Sequence, residues 1–430
     1  MRGNPALRYL AIGGLILGQV IPNTFTLFAL PAIYRSQGVD LADIGILSIA
    51  LFPFWFKWLW APIVDRFGNR NVGLRKSWIV PCTLTGAAIY GLLTLVPPSS
   101  DTIYIVADLL VLKNFVMATQ DIAVDAYVVE ALERGEEAAG AAIAAIGTTI
   151  GGVIGGALLV GFYDVLGWEI VMIFAAAMLL LASSVAMILP ERAPAVDVEV
   201  RKIGVVMVVQ EIRAHLRSRA SKAVLALVFL AQFAIAFPFR IDGAFLVDKG
   251  LSLAEIGFLG GGATTIGAVA GNLLGGRLGR RFGLQALLSF GTVAVLAIAV
   301  MYVFIAVTKI SAWDYAILNL IATLLGAPVY VALNAARYRW CSPARVGTDY
   351  TLQSSLTYLA QAIAAIAAGF LAAAVGWTIF YVIAGTFMVA TFAFLALVFR
   401  RLTNAVDARD AQYISSAAPM RPAGADAILP

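Results

Sequence analysis

The stretch "GVDLADIGIL" at residues 38–47 returns as "GLSLAEIGFL" at residues 250–259, with six of the ten positions identical. Each copy has a helix-capping residue, Asp40 or Ser252, and an acid three residues later, Asp43 or Glu255. That pattern is a capping box, which satisfies the free N–H groups at the start of a helix. A long apolar segment follows each copy. The repeat therefore predicts two related halves, each with a helix that begins at the corresponding place.

The segments around this repeat are apolar enough for a bilayer. Hydrophobic residues make up 61% of the 430 residues and charged residues only 13%, with a mean hydropathy of +0.90, whereas soluble proteins average roughly 25% charged residues. A transmembrane helix needs about 20 mainly apolar residues. Twelve stretches meet that requirement, at roughly residues 8–34, 41–63, 77–97, 102–130, 138–162, 167–189, 222–247, 253–276, 284–307, 312–337, 350–374 and 377–399. The sequence therefore predicts an all-α membrane protein with twelve transmembrane helices in two six-helix halves.

Two polar segments divide and end this array. Residues 191–221 form the longest hydrophilic connection and split the spans six and six. A short amphipathic run within them predicts either a helix on the cytoplasmic membrane face or a solvated linker. Residues 401–430 are polar and rich in Pro and Ala, which predicts a disordered cytoplasmic tail. The predicted domains are residues 1–190, the linker, residues 222–400 and the tail.

Lysine and arginine are distributed unevenly between the predicted loops. Of 30 such residues, Arg35, Lys249 and Lys309 fall in loops of one side, three fall within spans, and the other 24 lie on the opposite side. By the positive-inside rule, both termini and the basic loops are expected in the cytoplasm, with the chain in the inner membrane. The first apolar stretch continues as a full span without a cleavage site, so no signal peptide is expected. The net charge of +5 orients the chain and does not indicate a nucleic-acid partner.

The scarcity of reactive side chains argues against an enzyme. The chain has one histidine, His215, and two separated cysteines, Cys82 and Cys341. Neither a nucleophile with a base nor a cluster of metal ligands can be assembled from them. We therefore expect no metal and no cofactor. Repeated six-span halves are typical of transporters with a solute site between the halves, whereas a channel has no evident need for them.

The loop after the second predicted span carries a family signature. "APIVDRFG" (61–68), followed by "LRKSW" (74–78), resembles the loop between spans 2 and 3 of the major facilitator superfamily. The resemblance implies that Asp65 and Arg66 belong to a cytoplasmic charge cluster that latches the two halves in one state. Two departures stand out: Ala61 replaces the usual glycine, and the second copy of the motif has Arg280 where the acid would stand.

Further stretches resemble a narrower group, the peptide and acetyl-CoA transporter family with its AmpG-like muropeptide permeases, and the related siderophore importers. The matching stretches are "FKWLWAPIVDR" (56–66), "RKSWIVP" (75–81), "ATQDIAVDAYVVEAL" (118–132) and "GTDYTLQSS" (347–355). The resemblance implies a secondary active transporter that takes up a solute of the muropeptide or siderophore type. Drug or metabolite efflux is the alternative, which the absence of a proline after the glycines of residues 147–156 disfavours.

Three bases within spans, Lys57, Lys113 and Arg240, indicate an anionic solute. A charge at the bilayer centre costs about 2.5–3.5 kcal/mol on insertion scales, so it usually faces a cavity or a partner. Gln19 and Asn23 flank Pro22 in the first span and supply polar groups at midplane depth. We predict that all five of these polar and basic side chains bind the solute. A small anionic solute, protons and the lipid bilayer are the expected partners of a monomer.

The fourth span carries two further charges, which are nearer the cytoplasm. Asp121 and Asp125 are one helical turn apart and project from the same side, so we predict that they form a gate together with Asp65 and Arg66. For Lys57, which lies among aromatic residues, two interpretations stay open. It could lie against aromatic faces beside the pathway, or it could extend to the headgroups.

The seventh span carries the candidate for proton coupling. Asp242 follows Arg240 by two residues, and Pro238 and Gly243 can distort the helix enough to bring the two side chains together. A proton carrier needs a carboxylate whose pKa burial raises and a nearby cation lowers. We predict this role for Asp242, with a structural salt bridge to Arg240 as the alternative.

Overall fold

The computed structural model describes residues 5–25, 30, 33–34, 50, 52–69, 71–133, 135–159, 163–188, 213, 218–239, 241–251, 255–343 and 345–417. The helices of the first half are α1 (Pro5–Thr24), α2 (Phe52–Phe56), a 3₁₀ turn (Lys57–Leu59), α3 (Ala61–Arg66), α4 (Lys76–Leu93), α5 (Ile103–Ala131), α6 (Glu137–Gly152) with a π-helical continuation (Val153–Leu158), and α7 (Tyr163–Ile188). Those of the second half are α8 (Arg219–Phe239), α9 (Asp242–Asp248), a π-helix (Ile256–Gly260), α10 (Gly261–Val307), α11 (Ala312–Arg339) and α12 (Val346–Ala417). The predicted all-α fold is confirmed for the described residues.

Six of the described helical runs are long and apolar enough to cross a membrane, among them Gly261–Val307 with 47 residues and Val346–Ala411 with 66. A single crossing needs about 20 residues, and each of these two runs contains a break, at Gly283 and at Gly376. Each is therefore long enough for two crossings. The count of twelve spans remains a prediction for the whole chain.

The two halves share a detail at the start of their last predicted spans. "LGWEI" (166–170) and "VGWTI" (375–379) both place a glycine with positive φ, Gly167 at 74° and Gly376 at 75°, directly before a tryptophan. A residue with a Cβ atom adopts that conformation at a cost that glycine avoids. Trp168 donates to the Leu93 carbonyl at 2.6 Å, and Trp377 donates to a carboxylate oxygen of Asp248 at 2.8 Å. The same turn therefore anchors the corresponding helix in each half.

Each half packs around its own helices, and six helices form the main contacts between the halves. Within the first half α1 packs against α6 and α7, and within the second α10 packs against α11 and α8 against α12. Between the halves, α6 contacts α10 and α11, and α12 contacts α3 and α5. Helices α3, α5 and α11 terminate at one side of the bundle, and helices α4, α6 and α12 begin there. We call this side the basic end.

Close backbone contact joins the halves at the basic end. A Cβ atom added to Gly276 would lie 2.8 Å from the Cβ of Ala142, and one added to Gly279 would lie 2.2 Å from the Cβ of Ala138. Real Cβ atoms do not approach so closely, so only glycine fits at these two positions of α10. Small residues at such spacings allow helix backbones to approach. The basic end is therefore closed by direct contact between α6 and α10.

The prediction of a disordered tail is wrong for residues 401–417, because α12 continues through them. Leu402 and Val406, one helical turn apart, are buried, and Arg339 forms an ion pair with Asp407 at 2.8 Å. An apolar pair at this spacing gives the segment a face that can pack, even though its composition is polar. Residues 418–430, the first copy of the repeat at 38–47 and most of the predicted linker lie outside the described residues.

Candidate functional site

A carboxylate of the first half meets the start of a helix in the second half. Asp65 in α3 accepts hydrogen bonds from the backbone N–H of Gly347 at 2.9 Å and of Thr348 at 2.6 Å, and from the Thr348 hydroxyl at 2.7 Å. Gly347 and Thr348 lie in the first turn of α12. The first N–H groups of a helix lack acceptors within the helix and carry the positive end of its dipole. We call this contact between Asp65, Gly347 and Thr348 the latch.

Arg75 holds Asp65 in place. Its Nη1 lies 3.0 Å from Asp65 Oδ1, and its Nη2 lies 2.6 Å from Glu130 Oε1 at the end of α5. The guanidinium also donates to the Val64 carbonyl at 3.2 Å. Arg75 is buried, so these contacts exclude water. Arg66, which we predicted beside Asp65 in the gate, ends α3 and is half-buried.

The last turns of α12 support the other side of the latch. Arg409 donates to the Ser221 hydroxyl at 3.0 Å and to the Trp340 carbonyl at 3.3 Å, and it lies 3.7 Å from Asp349 Oδ2. Asp349 in turn accepts from the backbone N–H of Ser342 at 2.9 Å. These contacts fix the turn between α11 and α12 that presents the latch. Sequence reasoning missed Arg409 because its segment was predicted to be disordered.

Cys341 reports on the closed basic end. It borders a cavity of about 300 Å³ that residues of both halves line, among them Leu132 and Glu137 from the first and Tyr338 and Asp407 from the second. Burial, and to a smaller extent the nearby Asp349 carboxylate, raises the pKa of the Cys341 thiol well above its ordinary value. A thiol reacts through its thiolate. Separation of the halves should therefore make Cys341 react faster with a maleimide.

Gly347 offers a test of the latch that leaves every charge in place. A Cβ atom there would lie 2.5 Å from Asp65 Oδ1, so Gly347→Ala should push Asp65 away and raise the rate of maleimide reaction at Cys341 severalfold. Alanine is favoured over glycine within a helix by roughly 0.5–1 kcal/mol, so the thermal stability should not fall. The control is Gly369→Ala in the same helix, where nothing lies within 4 Å of the added atom. Equal rates in both variants would contradict the latch.

Lys57 joins the second predicted span to the fourth. Its ammonium contacts Asp121 and lies 3.4 Å from Asp125 Oδ2. The side chain is only 1% exposed. The interpretation that Lys57 extends to the lipid headgroups is therefore wrong, because two carboxylates hold it inside. The substrate-binding role of Lys57 and the gating roles of both acids remain predictions.

A local change of helix type turns Lys57 inward. The run from α2 to α3 passes through the 3₁₀ turn Lys57–Leu59 before α3 resumes; a stretch of this kind within a helix often marks a hinge. Trp60 ties the turn to α5, since its indole donates to the Thr119 hydroxyl at 3.1 Å and its ring lies 4.9 Å from that of Phe115. The turn thus holds Lys57 over the acidic face of α5.

Arg337 brings a positive charge of the second half toward Asp125. It lies in the last turn of α11 and interacts electrostatically with Asp125. Its guanidinium carbon lies 4.6 Å from the ring centre of Tyr350 in α12. Sequence reasoning missed Arg337 because it stands beside Arg339 in a run counted among the cytoplasmic bases. Only burial distinguishes the two arginines.

Lys113 is a residue of α5, and its side chain reaches the C-terminal end of α1. Its Nζ is 3.4 Å from the Pro22 carbonyl and 5.6 Å from the ring centre of Tyr90, whose hydroxyl donates to the same carbonyl at 3.3 Å. Pro22 is in the last turn of α1, where carbonyls lack intrahelical partners and a cation meets the negative end of the helix dipole. Lys113 is fully buried, and its amino group caps the helix in this state. The role of Lys113 in solute binding remains a prediction.

Gln19 and Asn23 lie one turn apart around Pro22. The Gln19 amide nitrogen and the Asn23 amide oxygen are buried and find no hydrogen-bond partner within the described ranges. Buried polar atoms are usually paired with protein or ordered water. The turn of α1 that Lys113 reaches thus also carries two polar groups suited to a small polar ligand.

Asp242 begins α9 and is surrounded by tyrosines. The hydroxyls of Tyr302 and Tyr381 each donate to its carboxylate at 3.3 Å, from α10 and α12. The two tyrosine rings lie 5.2 Å apart, and Phe245 packs on Tyr381. Arg240 lies outside the described residues, so its predicted place beside Asp242 is untested.

The family model that matches this chain and two named relatives all point to membrane transporters. The model of the Major Facilitator Superfamily matches residues 12–336 and 248–427. The anhydromuropeptide permease of Escherichia coli (strain K12) is 27% identical over 372 residues, which cover 85% of this chain and 75% of the permease. A putative transporter, AmpG 3 of Rickettsia typhi, is 23% identical over 388 residues, 86% of this chain and 91% of that protein.

Solved structures share the fold. The transporter FucP in its outward conformation superposes with a TM-score of 0.68 at 14% identity, covering 92% of this chain and 98% of FucP. The human organic anion transporter MFSD10 superposes with a TM-score of 0.67 at 17% identity, covering 92% and 100%. At such identities the likeness shows the fold alone.

Proposed function

The chain belongs to the Major Facilitator Superfamily, a family of membrane transporters, and we propose that it takes up an anionic solute of the muropeptide type together with protons. Uptake proceeds by alternating access of a site between the two halves. The single observation that carries the mechanism is the latch, in which a carboxylate of one half caps a helix of the other and closes one end of the bundle.

The uneven distribution of basic residues supports an orientation. The basic end faces the cytoplasm, and both termini lie there. We assign the chain to the inner membrane and take the state with a closed basic end as the outward-facing one. The solute enters from the outer side and leaves through the end that the latch closes.

The relatives and the polar groups support the proposed solute class. A similar protein of Escherichia coli is named anhydromuropeptide permease. Gln19 and Asn23 supply polar atoms between α1 and its neighbours, and Lys113 adds a positive charge at the same turn. Amide and ammonium groups suit the sugar hydroxyls and carboxylates of such a solute.

Asp242 is our candidate for the proton carrier. It is a partly buried carboxylate of the second half, and two tyrosine hydroxyls hold it among aromatic rings. Entry of a proton there would alter the contacts between α9, α10 and α12. The coupling of this step to the movement of the halves is part of the proposal.

Uptake into proteoliposomes tests the function. With an acidic outside and a neutral inside, a radiolabelled anhydromuropeptide should accumulate in a saturable way, and a protonophore should abolish the accumulation. Liposomes without protein correct for leakage. Binding of the solute without accumulation under any gradient would contradict a transporter of this kind.

The role of Lys113 gives a prediction within this site. Lys113→Gln should lower the affinity for the anhydromuropeptide about tenfold, since one charge-assisted hydrogen bond contributes about 1.5–3 kcal/mol. The melting temperature should change little, because loss of the buried charge also removes its desolvation cost. The control is Tyr90→Phe, which removes the other donor to the Pro22 carbonyl and no charge. Unchanged affinity with equal loss of stability in both variants would assign Lys113 to helix capping alone.

A further inference from the structure

Arg337 carries a buried charge that its surroundings leave incompletely paired. Its side chain is 4% exposed, and its Nη1 donates to the side-chain oxygen of Asn334 at 2.9 Å. Nε and Nη2 have no hydrogen-bond partner, and no carboxylate lies within ion-pair distance, among the residues that the structure describes. A buried charge without a paired, hydrogen-bonded counterion is strongly unfavourable. The guanidinium therefore presents two N–H groups suited to an anion.

A charged side chain that acts on Arg337 lies in the first half of the chain. Asp125 in α5 and Arg337 in α11 act on each other through their opposite charges, without an ion-pair contact. Asp125 also shares the ammonium of Lys57 with Asp121, which makes the closer contact. Two cations thus stand against two carboxylates. Asp125 is the carboxylate that the lysine compensates less, so it is available to balance Arg337.

Charged and titratable groups from both halves act on Asp125. The charged and titratable groups that interact with it are Lys57 from the 3₁₀ turn, Asp121 from α5, Arg337 and Tyr338 from α11, Cys341 from the following turn, and Tyr350 and Tyr358 from α12. When the basic end opens, α11 and α12 move away from α5. Lys57 then faces two carboxylates, and Arg337 loses its counterion.

We propose that Arg337 binds the anionic group of the solute on its way to the cytoplasm, and that Asp125 compensates Arg337 in the closed state until Asp125 takes up a proton. The inference rests on the proposed function and adds a residue to it. The carboxylate of Asp125 gains an O–H bond and loses its charge, so it no longer attracts Arg337 and the halves can part. A carboxylate of the solute then takes its place.

Release reverses the exchange. In the open state the Asp125 carboxyl group faces the cytoplasm and gives its proton to water. The restored carboxylate leaves an excess of negative charge beside Lys57, and it attracts Arg337 again. The solute anion and the Asp125 carboxylate compete for one guanidinium, so release of the solute and closure of the basic end occur together.

Binding to charged and neutral probes tests the anion site. Arg337→Gln should weaken binding of an anhydromuropeptide with free peptide carboxylates about tenfold or more, and should leave binding of the same compound with amidated carboxyl groups unchanged. Arg337→Lys keeps the charge and should restore at least part of the affinity. The matched control is Arg339→Gln, two residues away and paired with Asp407, which should bind both probes as the wild type does.

A second measurement needs no solute. In a Cys82→Ser background, the rate of maleimide reaction at Cys341, divided by that of the denatured protein at the same pH, should rise severalfold as the pH falls. In Asp125→Asn it should be high at every pH, because the amide mimics the protonated acid. Arg339→Gln should keep the pH dependence of the wild type.

The two measurements separate the possible failures. If the wild type binds neither probe, the proposed solute is wrong, and the Cys341 rates alone decide whether Asp125 controls the basic end. If the wild type binds the charged probe and Arg337→Gln binds it equally well, the anion site is refuted. A pH dependence in Asp125→Asn equal to that of the wild type refutes the role of Asp125.

Discussion

Asp65→Asn should raise the rate of maleimide reaction at Cys341 at least tenfold and reduce solute uptake by a similar factor. Gly347 and Thr348 each donate to a different oxygen of the carboxylate, so the asparagine would keep one acceptor and direct its NH₂ group at the other N–H group. Hydrogen bonds to a charged group contribute about 1.5–3 kcal/mol, and a factor of ten corresponds to about 1.4 kcal/mol. The outward-facing state should therefore lose its advantage over the inward-facing state.

Glu130→Gln is the matched control for this prediction. Glu130 is the other carboxylate on Arg75, yet it lies at the end of α5 and makes the contact within the first half. The change should lower the melting temperature slightly and leave Cys341 protected. If Asp65→Asn and Glu130→Gln expose Cys341 equally, Asp65 stabilises its own half and does not latch the two halves together.

Lys57→Gln should be the most destabilising single substitution among these, at about 3–5 kcal/mol, because removal of one partner leaves buried charges uncompensated. Asp121 and Asp125 are one helical turn apart and would repel each other without the ammonium. Denaturant unfolding in detergent measures the loss. The melting temperature should fall along with it.

The double variant Lys57→Gln, Asp121→Asn distinguishes charge balance from lost packing. It leaves Asp125 with Arg337 and removes one cation and one anion together. More than half of the lost stability should return, because replacing a whole buried pair is often nearly neutral. If the double variant is as unstable as Lys57→Gln alone, the side-chain shape of Lys57 matters and its charge does not.

The all-helical architecture and the latch acid could be predicted from the sequence. Helical spans show as long apolar runs, whereas the choice of Asp65 came from the resemblance of its motif to that of the major facilitator superfamily. Asp121 and Asp125 were predicted to project from one side because their spacing equals one helical turn. Such local patterns depend only on neighbours along the chain.

The partners of these residues could not be predicted in the same way. The contact of Lys57 with Asp121 depends on the 3₁₀ turn that directs the lysine inward, and the apolar sequence of that segment shows no sign of it. Arg337 and Arg339 look alike in sequence, yet one is buried near Asp125 and the other pairs with Asp407. The helical tail was detectable, since Leu402 and Val406 have helical spacing, but its polar composition outweighed that signal.

The central claim is that the two ends of the bundle open alternately, and paired distance measurements test it most directly. Spin labels at Val72 and Arg281 report on the basic end, and labels at Leu95 and Lys309 report on the opposite end; all four positions are exposed. When an anhydromuropeptide is added at acidic pH, we predict that the distance across the basic end increases while the other decreases. Asp65→Asn should shift both distances in the same directions without solute. Distances that stay constant, or that increase together at both ends, would contradict alternating access.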